Sequence, residues 1–185
     1  MTGESDDLTL VQRAAQGDEG AFREIVRRHE LTVARTVTAM LGAGDDADDV
    51  GQETFVRLFH ALPRFRGDAQ LRTYLTRIAM NLCLDALGRQ RRRAGWMRIG
   101  DDDESSTLAA PDERQQADRD ERAATVRQAV DELDAKHKAV VVLRMLEERS
   151  TRETAEVLGV PEGTVMSRLK RAMEKLETTL SAEFM

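Results

Sequence analysis

The stretch that leaves this chain least freedom is S-T-R-E-T-A-E-V-L-G-V-P-E-G-T-V-M-S-R-L-K-R-A-M-E-K-L-E-T-T-L, at residues 150–180. Ser150 followed by Glu153 is a capping box, in which each side chain satisfies a backbone N–H that a helix start leaves unpaired. The pattern predicts a short helix over 151–158, stopped at Gly159, which tolerates the left-handed conformation common at helix ends. Pro161 suits the first turn of a second helix, where its missing N–H costs nothing. Along that helix Val165, Leu169, Ala172, Met173, Leu176 and Leu180 recur at three- and four-residue spacing and define a buried stripe. Gly163, Thr164, Met166, Ser167, Lys170 and Arg171 project away from it, with Arg168 on its flank. Two helices joined by a tight glycine-containing turn, the second presenting small, hydroxylated and basic residues, match a DNA-reading helix-turn-helix. An ordinary helical hairpin with a solvated basic face fits the same periodicity.

A length of 185 residues allows one ordinary domain or two small ones. Aromatic residues are 4% and charged residues 34%, which favours helical bundles over sheets. The net charge of −6 argues against nucleic-acid binding through bulk charge, so local distribution has to decide. That distribution is uneven: nine basic against two acidic residues over 61–98, then four against twelve over 99–134. Cys83 is the single cysteine, so no internal disulfide can form, and a reducing compartment is expected. His29, His60 and His137 are scattered, and no metal-ligand cluster is apparent. With no long apolar run and an acidic start, M-T-G-E-S-D-D, the expectation is a soluble, cytoplasmic protein without membrane insertion.

The earlier chain divides into helices. Residues 8–16 form a short one ended by Gly17. Asp18 caps a longer one whose apolar face is Phe22, Ile25, Val26, His29, Val33, Val37 and Met40, closed at Gly42. His29 within that stripe is expected to be structural. A third helix over 46–62 halts before Pro63. Val50, Phe55, Leu58, Phe59 and Leu62 supply its apolar side, while Asp46, Asp49, Gln52, Glu53 and Arg57 lie largely on another. A mid-helix glycine costs about 1 kcal/mol relative to alanine, so Gly51 implies either close packing or a partner's approach. Asp68 is placed to cap a fourth helix over 69–92, with Leu71, Leu75, Ile78, Ala79, Leu82 and Ala86 inward. Arg72, Thr73, Arg77, Asn81 and Asp85 lie outward or on its flanks. The arginines that follow, five within 89–98, exceed what a helix dipole calls for and suit phosphates, with Asn81 able to read a base. Residues 98–122, rich in Asp, Glu and Ser, have almost no large apolar side chain and are expected to form a mobile linker with Trp96 just before it. Val126 and Val130 announce another helix before Leu133, and Asp134 starts one over 135–148 around Val140, Val141, Leu143 and Met145.

Three blocks in order, D-D-A-D-D-V-G-Q-E-T-F-V-R-L-F, F-R-G-D-A-Q-L-R-T-Y-L-T-R-I-A-M-N-L-C-L-D and G-V-P-E-G-T-V-M-S-R-L-K-R-A, closely resemble the extracytoplasmic-function sigma factors of bacterial RNA polymerase. The likeness spans residues 8–93 and 126–180. It implies an all-α chain of two small helical domains joined by a flexible acidic linker. The first, 8–96, resembles sigma region 2, the linker is 97–122, and the second, 123–182, resembles sigma region 4 with its helix-turn-helix.

The resemblance also implies roles. Asp46, Asp49, Gln52, Glu53 and Arg57 fall on the helix that docks on the coiled-coil clamp of the polymerase's largest subunit, with the flap region a further contact. Phe65, Arg72, Thr73, Arg77 and Asn81 fall where the family recognises the downstream (−10) promoter element and captures a flipped base, so that recognition drives strand opening. Thr164, Met166, Ser167, Arg168, Lys170 and Arg171 fall on the helix that enters the major groove at the upstream (−35) element. The acidic linker is similar to linkers that thread towards the RNA exit path. The implied partners are core RNA polymerase, promoter DNA and an anti-sigma protein. No catalytic residue, metal, cofactor or small-molecule substrate is implied. Departures from the pattern are Met166 in place of a basic residue, Thr154 in place of an aliphatic one, Tyr74 for Trp and Met80 for a basic residue.

Overall fold

The computed structural model describes the backbone of residues 2–67, 69–97 and 114–183, and side-chain surroundings within 6–67, 69–93 and 123–181. The cap assigned to Asp68, the packing of Trp96 and most of the linker lie outside these residues. The described residues form eight α-helices and no strand: α1 Thr2–Ala15, α2 Glu19–Leu41, α3 Asp45–Ala61, α4 Leu71–Met97, α5 Arg114–Asp131, α6 Ala135–Val141, α7 Thr151–Leu158 and α8 Glu162–Glu183. The fold is all-α, in two helical domains of four helices each.

Helix boundaries follow local chemistry. Asp18 sits in extended conformation before α2 and accepts a hydrogen bond from the Ala21 N–H at 3.0 Å. Asp134 does the same for α6, accepting from the N–H groups of Lys136 and His137. The capping box closes as expected: Ser150 Oγ accepts from Glu153 N–H, and the Glu153 carboxylate accepts from Ser150 N–H. Gly159 ends α7 in the left-handed region, at φ 63° and ψ 36°. Several boundaries differ from expectation: α1 begins at Thr2 and not at residue 8, and α4 begins at Leu71 and runs on to Met97, past the expected end at 92. Beyond α3 the chain tightens into a 3-10 turn, Leu62–Arg64, around Pro63. The helix expected over 135–148 breaks after Val141 into a π-helical turn, Val142–Leu146. Helix α5 already begins at Arg114, inside the stretch read as linker, where the alternation of Arg, Gln, Ala and Glu has good helix propensity.

One core runs through α1–α4, from Leu10, Val11 and Ala14 through Ile25, Val33, Val37 and Met40 to Leu58, Leu75, Ala79 and Met80. Each domain-two helix that touches it adds to it: Ala139, Val142, Leu143 and Val157 belong to the same cluster. Within domain two, Ala129, Leu133, Val141, Ala172 and Leu176 form a second cluster, and Val140, Ala155 and Val165 a third. The two domains therefore share buried apolar surface instead of standing apart. Among the positions assigned to apolar faces, Phe59, Met145 and Met173 are about half exposed, and Phe22, Val26, Phe55, Ile78, Leu169 and Leu180 are half-buried. Phe59 meets Phe22 edge to face, with ring centroids 5.1 Å apart, on the rim of the first domain. His29 is buried and its Nε2 lies 2.9 Å from Asp7 Oδ2, a structural pairing that ties α1 to α2.

Candidate nucleic-acid interface

The acidic face of α3 is assembled as its spacing predicts. Asp46, Asp49, Gln52 and Arg57 are exposed and Glu53 is half-buried. Arg57 Nε donates to Glu53 Oε1 at 2.9 Å, and Gln90 Nε2 of α4 donates to Asp46 Oδ2 at 2.8 Å. Asp49 and Gln52 remain free for a partner's contacts in the sense that both are open to solvent. Gly51 lies among them, and a Cβ built on it would meet nothing within 4 Å. Close packing within the chain therefore does not account for this glycine.

At the end of α3 the surface becomes basic. A depression of about 560 Å³ is lined by Arg57, His60, Arg64, Phe65, Arg66, Tyr74 and Arg77, among others. Phe65 and Tyr74 meet edge to face at 5.1 Å, giving an aromatic wall among guanidinium groups. Such a wall offers a π-face to a base, and the arginines offer donors to phosphate and to the base's edge. Phe65 and Arg77, both assigned to the −10 element, are thus brought together here. Asn81 follows Arg77 by one turn of α4 and is exposed; Arg72 precedes it and is exposed, whereas Thr73 is buried. Arg64 and Arg66, absent from the sequence-based set, belong to the depression. Their signal was the basic run flanking Phe65, P-R-F-R-G, which a search of α4 alone passes over.

On α8, Met166, Ser167, Lys170 and Arg171 are exposed, and Thr164 and Arg168 half-buried. Ser167 Oγ donates to Thr164 O at 3.1 Å, an intrahelical bond that leaves its lone pairs outward. Lys170 is only 3.8 Å from Glu174, a loose surface pair that water can replace cheaply. Met166, 59% exposed, rests its sulfur 3.9 Å from Thr151 Oγ1, so an apolar tip stands among the polar groups of this face. Ala155 of α7 and Val165 of α8 pack with Val140 of α6, the small core that a helix-turn-helix needs to present its second helix.

Comparison with known proteins decides what this arrangement is. Sigma-70 region 2 matches residues 25–93, and Sigma-70 region 4 matches residues 123–176. The RNA polymerase sigma-H factor of Pseudomonas aeruginosa is 30% identical over 97% of this chain and 96% of its own. The chain belongs to the sigma-70 family of RNA polymerase sigma factors. Its relatives place it among the extracytoplasmic-function members: the ECF RNA polymerase sigma-E factor of Haemophilus influenzae is 31% identical over 97% of this chain and 98% of that one. Among solved structures, CnrH in complex with the cytosolic domain of CnrY superposes with a TM-score of 0.67, at 30% identity, over 96% of this chain and 98% of CnrH. As a sigma factor the protein is a transcription initiation factor that binds core RNA polymerase and promoter DNA. No helix among the described residues is long and apolar enough to cross a membrane.

Proposed function

We propose that the three surfaces divide the work of promoter recognition. The acidic face of α3, carrying Asp46, Asp49, Gln52, Glu53 and Arg57, docks on the clamp coiled coil of the polymerase's largest subunit, and domain two meets the flap region. The basic depression beside it receives an unpaired base of the −10 element. Phe65 and Tyr74 supply the stacking wall, Arg72 and Arg77 the charge, and Asn81 a bidentate amide for a base edge. Thr73, being buried, takes part only if the neighbouring helix moves. Extruding a base costs a few kcal/mol, and a pocket that rewards one base converts sequence recognition into strand opening. Helix α8 lies in the major groove of the −35 element, with Lys170 and Arg171 on phosphates and Thr164, Ser167 and Arg168 at base edges. Met166 makes an apolar contact there, which a thymine methyl group suits. The protein supplies no catalytic group; the polymerase performs the chemistry. It works in the cytoplasm and is held in check by an anti-sigma protein, as the complex of CnrH with CnrY suggests by likeness.

The observation that supports this reading is the aromatic-walled basic depression at the end of the acidic helix, in the same domain as that helix. Fluorescence anisotropy of labelled promoter DNA with holoenzyme tests the upstream half. Lys170→Ala and Arg171→Ala should each weaken binding and flatten the dependence of log K on log salt by about one unit for each phosphate no longer engaged. An unchanged salt slope in both variants would contradict the placement of α8 on DNA.

A further inference from the structure

Helix α1 carries none of the residues assigned to a surface above, and it ends before residue 25, where the match to Sigma-70 region 2 begins. Its inner side is ordinary core: Leu10, Val11 and Ala14 are buried in domain one. Leu8 is different, lying 41% exposed and outside that cluster. What it covers is the loop that carries Phe65. Past the 3-10 turn Leu62–Arg64 the chain runs through Phe65, Arg66 and Gly67, and all three line the basic depression. Gly67 turns with φ 75°, a left-handed conformation that costs glycine little. A Cβ built on Gly67 would stand 3.1 Å from Leu8 Cδ1, inside the roughly 3.5–4.0 Å at which carbon atoms pack. The Leu8 side chain thus lies against the backbone of the loop, at the one place where a glycine leaves room for it.

Leu8 is itself held in place. Helix α1 packs on the 3-10 turn from which the loop leaves. On the other side, the two residues before Leu8 reach α2. Arg28 Nη1 lies 2.7 Å from Asp6 Oδ2 and 3.3 Å from Asp7 Oδ1, and His29 Nε2 lies 2.9 Å from Asp7 Oδ2. The Asp7 and His29 side chains are only 17% and 10% exposed, so this tie is shielded from the water that weakens surface pairs. The loop, by contrast, gains little from burial of its own side chains, since Arg64, Arg66 and Gly67 are all exposed.

We propose that Leu8 is a positioning residue for the downstream-element pocket, bracing the 65–67 loop so that the Phe65 ring stands ready to receive an unpaired base. A stacking wall serves best when its rings are placed before the base arrives. A loop that samples other conformations has to be ordered on binding, and affinity falls with the fraction of chains that hold the competent form. A rigid helix leaning on the loop's glycine removes that cost from outside the pocket, without touching DNA. The effect on the base rests on the reading of the depression proposed above; the hold on the loop does not.

Two measurements on the full chain test this. Amide hydrogen exchange reads the loop: the Phe65 N–H, bonded to Leu62 O at 3.2 Å, should exchange roughly tenfold faster in Leu8→Ala. A general loss of stability would speed exchange throughout α1–α4 and not at Phe65 alone. Leu8→Val removes the same δ carbons with less loss of apolar surface and should act likewise, so it decides should Leu8→Ala fail to fold. Leu8→Met, which regains the reach, should restore the original rate. The second measurement is the affinity of reconstituted holoenzyme for a fluorescein-labelled non-template strand from a promoter it transcribes. Leu8→Ala should weaken it roughly threefold to tenfold, up to the worth of one base stack, with affinity for core polymerase unchanged. Phe65→Ala is the reference and should weaken it by about tenfold or more. An unchanged Phe65 exchange rate in a folded Leu8 variant overturns the positioning role. Faster exchange with unaltered strand affinity, where Phe65→Ala does weaken binding, overturns its bearing on promoter capture. Unaltered affinity in Phe65→Ala itself overturns the reading of the depression, and with it the role of Leu8 in strand capture, while the exchange rate still judges the hold on the loop.

Discussion

Thr154 shows how a single atom can be legible in sequence and still need a structure to be weighed. It stands in the first helix of the helix-turn-helix where an aliphatic residue is common, and it is fully buried with no hydrogen-bond partner for its hydroxyl. Desolvating a hydroxyl without compensation is costly, so Thr154→Val should stabilise the protein by about 1 kcal/mol, seen as a higher urea midpoint at unchanged slope. A lower midpoint would mean the hydroxyl is satisfied by water. Gly51 is the opposite case, a residue whose role the fold does not supply. A methyl group there meets open space, so Gly51→Ala should raise stability by about 1 kcal/mol through helix propensity alone. If the glycine is kept for the close approach of the polymerase, the same variant should bind core enzyme several-fold more weakly in a competition assay. Unchanged affinity would remove Gly51 from the docking surface.

Helix ends were the most legible elements, because capping is settled within four residues. Asp18, Asp134, Ser150 with Glu153, and Gly159 all do what their spacing predicts. Asp134 also makes a pH prediction. Burial alone would raise its carboxyl, but hydrogen bonds from the His137 ring and backbone, with Lys175 nearby, outweigh that and bring it to about 2. A carboxyl lowered in the folded state adds stability above its unfolded value near 3.8 and loses it as pH falls towards 2. Denaturant titrations from pH 5 to 2 should therefore show a loss of stability that Asp134→Asn shrinks; an equal loss in the variant would assign it to other carboxylates. Faces were less legible than ends. Phe59, Met145 and Met173 share the helical spacing of true core residues, and periodicity alone cannot tell a core position from the rim of a domain. The π-helical turn at Val142–Leu146 was invisible because its cause is tertiary: it turns Val142 and Leu143 into the shared core and leaves Met145 and Leu146 outside.

At the scale of the whole molecule, the division into two helical domains was readable from the break in apolar periodicity and the acidic stretch after residue 98. What lies between the domains was not. Thr36, Thr76, Glu147 and Arg149 look like surface residues in any local window, and only their meeting across more than seventy residues of sequence makes them a buried polar seam. Thr73, outward or flanking on its own helix, is likewise buried in the molecule. Three motifs in order could be placed on helix faces by local reading, which could not show that Phe65 and Arg77 line one depression with Arg57, Arg64 and Arg66. Everything proposed for those surfaces depends on the protein working as a specificity subunit of RNA polymerase. Run-off transcription with reconstituted core enzyme on a library of genomic promoters measures that directly. Addition of the protein should bring out a defined set of new start sites sharing upstream and downstream elements. Start sites and transcript levels identical with and without it, from core enzyme that fails to retain it on a pull-down, would contradict the account.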